Sequence, residues 1–320
     1  MIELNELKEK VLKGEYLSKE ELLSLCEVPL DVLSIAADEI REHFCGNQFD
    51  ICTIINGKCG KCSEDCKYCA QSCHYNVDLK ECHSLLQTEE IVAQAQKDYD
   101  AGVLRYSIVT SGRRLSKQEV LQVCESIGAI RSQVGIEVCV SFGLLDEEDF
   151  RQLREAGVSR VHCNLETSKS HFSSVCTTHT YEEKLDTIRA AQRAGLQVCS
   201  GGIMGIEETM EDRIDMILDI RALGIKSVPV NVLNAIPGTP YEHNKVLTRD
   251  EVRRIIAIYR FAIPDAFLRM AGGRGLLGDK GESCFTGGAN AAISGDMLTT
   301  AGISIETDRE LVQQLGYEIR

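Results

Sequence analysis

Short apolar, β-branched runs recur along this chain at intervals of roughly 25–35 residues, with amphipathic segments filling most of the gaps. The runs fall at Asp50–Ile55, Arg105–Thr110, Ile136–Phe142, Arg160–Leu165, Gln197–Met204, Ser227–Leu233, Ala266–Ala271 and Ala291–Leu298. Glu89–Ala101, Lys117–Ser132, Glu182–Ala194, Met210–Ala222 and Asp250–Phe261 carry apolar residues at helical spacing. Several begin with S/T-x-x-E caps, as at Ser116…Glu119, Thr180…Glu183 and Thr248…Glu251, and Gly102, Gly157, Gly195 and Gly224 close helices ahead of the next run. The first 45 residues read differently, as short helices: Ser18…Glu21 opens Glu20–Cys26, and Pro29 to His43 is amphipathic. Eight strands alternating with helices predict an α/β fold, a (β/α)8 TIM-type barrel with an N-terminal helical extension. No Pro-, Gly- or Ser-rich linker divides the chain. The expected organisation is a single domain: extension 1–45, barrel 46–305, and a C-terminal helix 306–320 packed on the barrel.

Composition narrows the chemistry. The 320 residues are 43% hydrophobic, with no apolar run of membrane-spanning length. The N-terminus lacks the basic-then-apolar order of a signal peptide, so a cytoplasmic protein is expected. A net charge of −14 argues against a nucleic-acid partner. Fifteen cysteines in such a chain point to metal or redox chemistry rather than a disulfide framework.

Three of those cysteines, Cys62, Cys66 and Cys69, sit in one loop after the first strand, spaced C-x3-C-x2-C with Tyr68 before the last. Thiolates hold iron–sulfur clusters, and three of them leave one iron of a four-iron cluster open to a chelating small molecule. This spacing is the signature of radical S-adenosylmethionine (SAM) enzymes. Cys59 leaves a second reading open, a four-cysteine zinc site of Cys59, Cys62, Cys66 and Cys69, although pairs only four positions apart are cramped for one tetrahedral ion.

Polar residues inside barrel strands carry further information. In Val161–Thr167 the period of two puts His162, Asn164 and Glu166 on one face and Cys163 on the other. The first face predicts a wet pocket for a polar ligand, against the alternative of a satisfied hydrogen-bond layer. Cys52, Cys139 and Cys199 each fall near the middle of a different strand, as do Arg105, Ser107, Asn231 and Arg269. Isolated buried thiols are usually small hydrophobes. Three pointing inward would converge below the loop cysteines and could hold a second metal centre. Gly201-Gly202 predicts close backbone approach to a ligand. Thr299-Thr300 reads equally as a carboxylate site or a solvated loop.

With these residues in hand, the chain resembles the biotin synthase family over nearly its whole length. The likeness rests on Cys62-Ser-Glu-Asp-Cys-Lys-Tyr-Cys-Ala-Gln-Ser72, Asn164-Leu-Glu-Thr-Ser168 and Val198-Cys-Ser-Gly-Gly-Ile203. Val228-Pro-Val-Asn231, Ile236-Pro-Gly-Thr-Pro240, Gly288-Ala-Asn290 and Leu298-Thr-Thr300 add to it. The resemblance implies a homodimeric radical SAM barrel that converts dethiobiotin to biotin. It implies a 4Fe-4S cluster on Cys62, Cys66 and Cys69, and SAM contacts from Tyr68, Asn164, Glu166 and Lys184. His162, Asn231, Thr299 and Thr300 match the substrate side, the threonines holding the dethiobiotin carboxylate. Cys139, Cys199 and Arg269 match ligands of an auxiliary sulfur-donating cluster. A flavodoxin- or ferredoxin-type reductant and cluster-assembly machinery come with the same implication.

The pattern departs in places. Ser107 stands where the commonest family members carry a cysteine ligand, while Cys52 replaces a smaller hydroxyl on the neighbouring strand. The auxiliary cluster is therefore expected on Cys52, Cys139 and Cys199, with Cys59 or Arg269 completing it, as 2Fe-2S or a four-iron form. Glu166 replaces an aspartate, Lys184 an arginine, and His162 an asparagine. Two other readings stay open: another radical SAM barrel enzyme of the maturase or mutase type, and a non-enzymatic metal protein.

Overall fold

The computed structural model describes residues 4–60, 62–79 and 82–319. Met1, Ile2 and Glu3 of the expected extension, Lys61 of the cysteine loop, Lys80, Glu81, and Arg320 of the expected last helix lie outside the described residues.

Strands form at β1 (Gln48–Lys58), β2 (Arg105–Thr110), β3 (Glu137–Ser141), β4 (Val158–His162), β5 (Gln197–Cys199), β6 (Gly202–Met204), β7 (Ser227–Val232), β8 (Phe267–Met270), β9 (Ala291–Ser294) and β10 (Glu318–Ile319). Neighbours pair in parallel in the order β5-β4-β3-β2-β1-β9-β8-β7-β6. The two ends of that order are one stretch of chain interrupted at Ser200-Gly201. Cys163 N–H donates to Cys199 O (3.0 Å) and Glu166 N–H to Gly201 O (3.1 Å), while Ser200 N–H donates across to Ser227 O (3.0 Å). The sheet therefore closes on itself, with the expected fifth strand split into β5 and β6.

Two local causes split it. Pro229, opposite the break in β7, has no N–H to give to the ladder. A Cβ at Gly201 would lie 1.8 Å from Pro229 O, and one at Gly202 would lie 2.4 Å from Glu166 O. The glycine pair is thus required by neighbouring strands at the seam, not by a ligand as its sequence context suggested.

Amphipathic helices cover the barrel at Thr88–Asp100, Lys117–Gln133, Glu147–Ala156, Tyr181–Arg193, Met210–Ala222 and Arg249–Ala262. Their inner faces, among them Ile91, Val120, Ile127, Ile188, Ile217 and Ile256, are fully buried against the strands. The capping boxes at Ser18, Ser116, Thr180 and Thr248 form as the sequence predicts. Two more, at Asp146 and Thr209, close with an aspartate, which a scan for S/T-x-x-E passes over. Of the N-terminal helices, Lys19–Ser24 and Leu30–Cys45 pack on the helices over Met210–Ala222 and Arg249–Ala262, and Leu4–Leu12 packs on Leu30–Cys45.

The last element differs from expectation. Its helix spans Ile305–Gln314 rather than 306–320, because Gly316 (φ 83°) turns the chain and buried Tyr317 donates its hydroxyl to Phe285 O at 2.6 Å. β10 then adds in parallel beside the start of β1. Arg274 grips Asp308 of this helix with bonds of 2.7 and 2.5 Å, both side chains buried.

Gly201→Ala should lower the unfolding free energy by at least about 1–3 kcal/mol, the usual cost of overpacking. Urea denaturation would check this, and an unchanged midpoint would contradict the tight seam.

Candidate active site

The loop after β1 folds back on itself. Cys62 N–H donates to Gln71 O (2.8 Å), Cys73 N–H to Cys62 O (2.8 Å) and Cys69 N–H to Cys66 O (3.0 Å). Cys62, Cys66 and Cys69 consequently line one pocket at the C-terminal mouth of the barrel, together with Gly112, Arg113 and Lys184. Cys59 is elsewhere, in an antiparallel bridge with His83, and does not line that pocket. Burial pushes the Cys69 thiol up to about 11 and raises Cys62. The Cys176 sulfur, 3.7 Å from Cys66, and burial together raise Cys66.

Residues inside the motif pin this loop from behind. Asp65 accepts from Thr177 N–H (2.8 Å), Thr178 N–H (3.2 Å) and the Thr177 hydroxyl. Burial favours its neutral form, but these bonds hold it well below the usual carboxylate range. Glu64 receives His179 Nδ1 (2.7 Å), the Thr178 hydroxyl (3.0 Å) and Arg113 (3.2 Å). None of Glu64, Asp65, Cys176 or His179 stood out in the sequence, since the pairs are more than 100 residues apart.

Beside the pocket lies a cavity of roughly 350 Å³ that gathers Tyr68, His162, Asn164, Glu166, Lys184, Asn231, Thr299 and Thr300. A polar row runs on from His162, the last residue of β4: His162 Nε2 meets Asn164 Oδ1 at 2.7 Å, and Asn164 Nδ2 donates to Glu166 Oε2 at 3.3 Å. Gly201 N–H also donates to Asn164 Oδ1 (3.0 Å), which fixes that atom as the acceptor oxygen. His162 Nε2 therefore carries the hydrogen, and its Nδ1 is left as an acceptor. Burial lowers the His162 pKa, so this ring is neutral. Cys163, expected on the opposite face, also lines this cavity, because the chain leaves strand geometry after His162; its other side packs on the hydrophobic core.

Glu166 adopts a left-handed backbone, φ 70°, unusual for a side chain of this kind. Its N–H bonds to Gly201 O and its carbonyl to Ile203 N–H, so the barrel seam imposes the conformation. Burial raises its carboxyl pKa, against the pull of Lys184 and the Tyr68 hydroxyl. Burial opposes the Lys184 charge, yet Cys163 and Glu166 hold its pKa above the ordinary value. Lys184 lines both the thiol pocket and the cavity, so one cation serves both. Asn231 is held rigidly, donating to Gly202 O (3.1 Å) and accepting from Gly272 N–H (2.9 Å).

Below His162 is a smaller chamber that brings together Cys52, Cys139, Cys199 and Arg269, with Arg105, Ser107 and Arg160. Strand register explains the convergence: Cys52 pairs with Arg105, Ser107 with Cys139, and His162 with Cys199. Arg269 donates to Asp50 Oδ1 (2.6 Å), Ala292 O (3.0 Å) and Cys52 Sγ (3.3 Å), while Arg105 takes Asp50 Oδ2 (2.7 Å). Arg160, absent from the sequence-derived candidates, bonds to Gln197 (2.9 Å). Burial drives the Cys52 thiol up to about 12 and Cys139 to about 11. Three thiols beside guanidinium groups suit an anionic iron–sulfur centre. Cys59 does not line this chamber.

Comparison with known proteins agrees with the geometry. The model of the radical SAM superfamily matches residues 58–220, and that of the biotin and thiamin synthesis associated domain matches residues 229–318. The chain is 57% identical to the biotin synthase of Brachyspira hyodysenteriae over 99% of its length and 95% of that protein's. It is 56% identical to the biotin synthase of Akkermansia muciniphila over 97% of each. Among solved structures it is similar in fold to a methylornithine synthase (TM-score 0.84, 18% identity, covering 98% of this chain and 97% of that one). It is likewise similar to the FeFe-hydrogenase maturase of Carboxydothermus hydrogenoformans (TM-score 0.83, 17% identity, 98% and 78%).

Asp50→Asn keeps the shape of the chamber floor but leaves two guanidinium groups without their carboxylate. Breaking a buried pair in this way costs about 3–5 kcal/mol. Urea unfolding of the metal-free protein should show that loss, and a loss below about 1 kcal/mol would refute it.

Proposed function

Because this chain belongs to the biotin synthase family within the radical SAM superfamily, we propose that it inserts sulfur into dethiobiotin to form biotin. One observation carries the reading: two thiol sets lie at opposite ends of one barrel lumen, with the polar cavity between them. When bound, a 4Fe-4S cluster and an auxiliary iron–sulfur cluster supply reductive cleavage of SAM, hydrogen removal from dethiobiotin, and the inserted sulfur.

The protein's part is to bind, orient and keep water out. Cys62, Cys66 and Cys69 would hold the first cluster, their loop fixed by Glu64 and Asp65. For SAM, Glu166 offers acceptor oxygens to ribose hydroxyls, and Lys184 a point charge to the carboxylate. Tyr68 and Asn164 fix the Glu166 carboxylate in place. On the substrate side, the bare Nδ1 of neutral His162 accepts a ureido N–H, and the Thr299 and Thr300 hydroxyls donate to the dethiobiotin carboxylate. Asn231 presents its remaining donor and lone pair from a fixed position.

For the auxiliary cluster the reading favours Cys52, Cys139 and Cys199 with Arg269, which all line one chamber, over a set that includes Cys59. A thiol-rich chamber suits a sulfur-rich four-iron form, with 2Fe-2S as the alternative. The same reading brings a flavodoxin- or ferredoxin-type reductant, cluster-assembly machinery, a homodimer and a cytoplasmic setting. No helix among the described residues is long and apolar enough to cross a membrane.

Reconstituted protein given dethiobiotin, SAM and a reductant should form biotin. Absence of both biotin and 5′-deoxyadenosine would defeat the assignment. Wild type should carry two four-iron centres, and Cys52→Ala and Cys139→Ala one each; full iron and sulfide in both variants would exclude these ligands. Glu166 adds a pH signature. Its raised pKa means that acidification removes the carboxylate at a pH above the ordinary glutamate value of 4.5. SAM affinity should therefore weaken as pH falls toward that raised value, and Glu166→Gln should bind more weakly with the pH dependence gone.

A further inference from the structure

We propose that the cluster-free protein carries a mononuclear site for a soft divalent cation of the zinc class, built from Cys66, Cys176 and His179. Cys176 and His179 follow the short helix Phe172–Val175 with C-x2-H spacing, and both are buried. Their ligand atoms and Cys66 Sγ all lie within 4.8 Å of one another. The two sulfurs are 3.7 Å apart, and Cys176 Sγ is 3.3 Å from His179 Nδ1. Tetrahedral zinc, with Zn–S near 2.3 Å and Zn–N near 2.0–2.1 Å, sets sulfurs about 3.8 Å apart and sulfur to nitrogen about 3.5 Å. Both donor pairs that include Cys176 stand at close to those separations, and Cys66 Sγ lies within 4.8 Å of the His179 nitrogen.

A fourth ligand is within reach. Asp65 Oδ1 lies 3.2 Å from Cys176 Sγ, and Glu64 Oε2 lies 2.7 Å from His179 Nδ1. Either carboxylate, or water, would complete four-coordination. Both sulfurs bind as thiolates, any thiol proton passing to solvent, and no oxidation state changes.

The reaction proposed above takes no cluster ligand from Cys176 or His179, although His179 borders the thiol pocket and its bond to Glu64 helps pin the loop. Cys66 belongs to both sets, so the site rests on that reading in one respect: cation and four-iron cluster exclude each other. A zinc-class ion here removes one of three cluster ligands, which makes the site an entry point for metal competition during cluster assembly.

Anaerobic titration of the metal-free full-length protein with Co2+ should saturate at one equivalent. It should show thiolate-to-cobalt charge-transfer absorption and the d–d bands of a tetrahedral ion. Cys176→Ser and His179→Ala, checked as folded by circular dichroism, should each weaken binding by more than about tenfold, since even supporting residues of metal sites are worth 10–100-fold. Zn2+ added first should depress later cluster reconstitution in wild type far more than in Cys176→Ser, each measured against the same protein without Zn2+. Equal cobalt affinity in all three proteins would assign the ion to the loop triad and overturn the proposal, as would wild type without charge-transfer absorption. A wild type that binds cobalt as described yet never cleaves SAM would leave the cation site standing and sink the functional reading, so the two fail separately.

Discussion

Charge placed inside a barrel has to be answered inside the barrel, because the helices outside turn mostly apolar side chains toward it. Asp50, near the start of β1, does this with its two oxygens: one takes Arg269 and the other Arg105. Two guanidinium groups are thereby fixed on β8 and β2, on either side of Cys52. The floor becomes a rigid cationic cup with thiols around it, instead of the aliphatic side-chain layers that usually fill a barrel. Everything stacked above depends on that exchange of packing for polarity. His162 lines both the floor and the cavity over it, and the polar row of His162, Asn164 and Glu166 leads upward to the mouth.

Much of this was legible from residue order alone, for a physical reason. The period of two brought His162, Asn164 and Glu166 together correctly, although β4 ends at His162 and the seam, not strand geometry, carries Asn164 and Glu166 to the same cavity. The inward convergence of Cys52, Cys139 and Cys199 followed in the same way, because parallel neighbours in a barrel hold one register. What stayed hidden depends on contacts between distant segments. The bonds from Glu64 and Asp65 to the segment around Thr178 join chain points with no local pattern between them. Arg160 looks like an ordinary strand-end charge until Gln197 is seen beside it. The interruption at Ser200-Gly201 needed Pro229 of a different strand, and the terminal turn at Tyr317 needed a partner carbonyl at Phe285.

The departures from the commonest family pattern also make structural sense. Ser107 and Cys52 occupy adjacent strands in nearby register, so exchanging which strand carries the sulfur moves a donor along the wall without emptying the chamber. The solved structures at 17–18% identity show a likeness of fold. What distinguishes this chain lies in side chains hung on a common frame.

Glu166 holds its unusual backbone shape because the seam between β4 and the β5–β6 stretch runs through its own N–H and carbonyl. Side chain and seam are one piece. Anything that grips the carboxylate pulls on the stitch that keeps the cylinder shut, and any loosening of the stitch swings the carboxylate away. Occupancy of the lumen and integrity of its wall are thus a single mechanical state, shared at one residue.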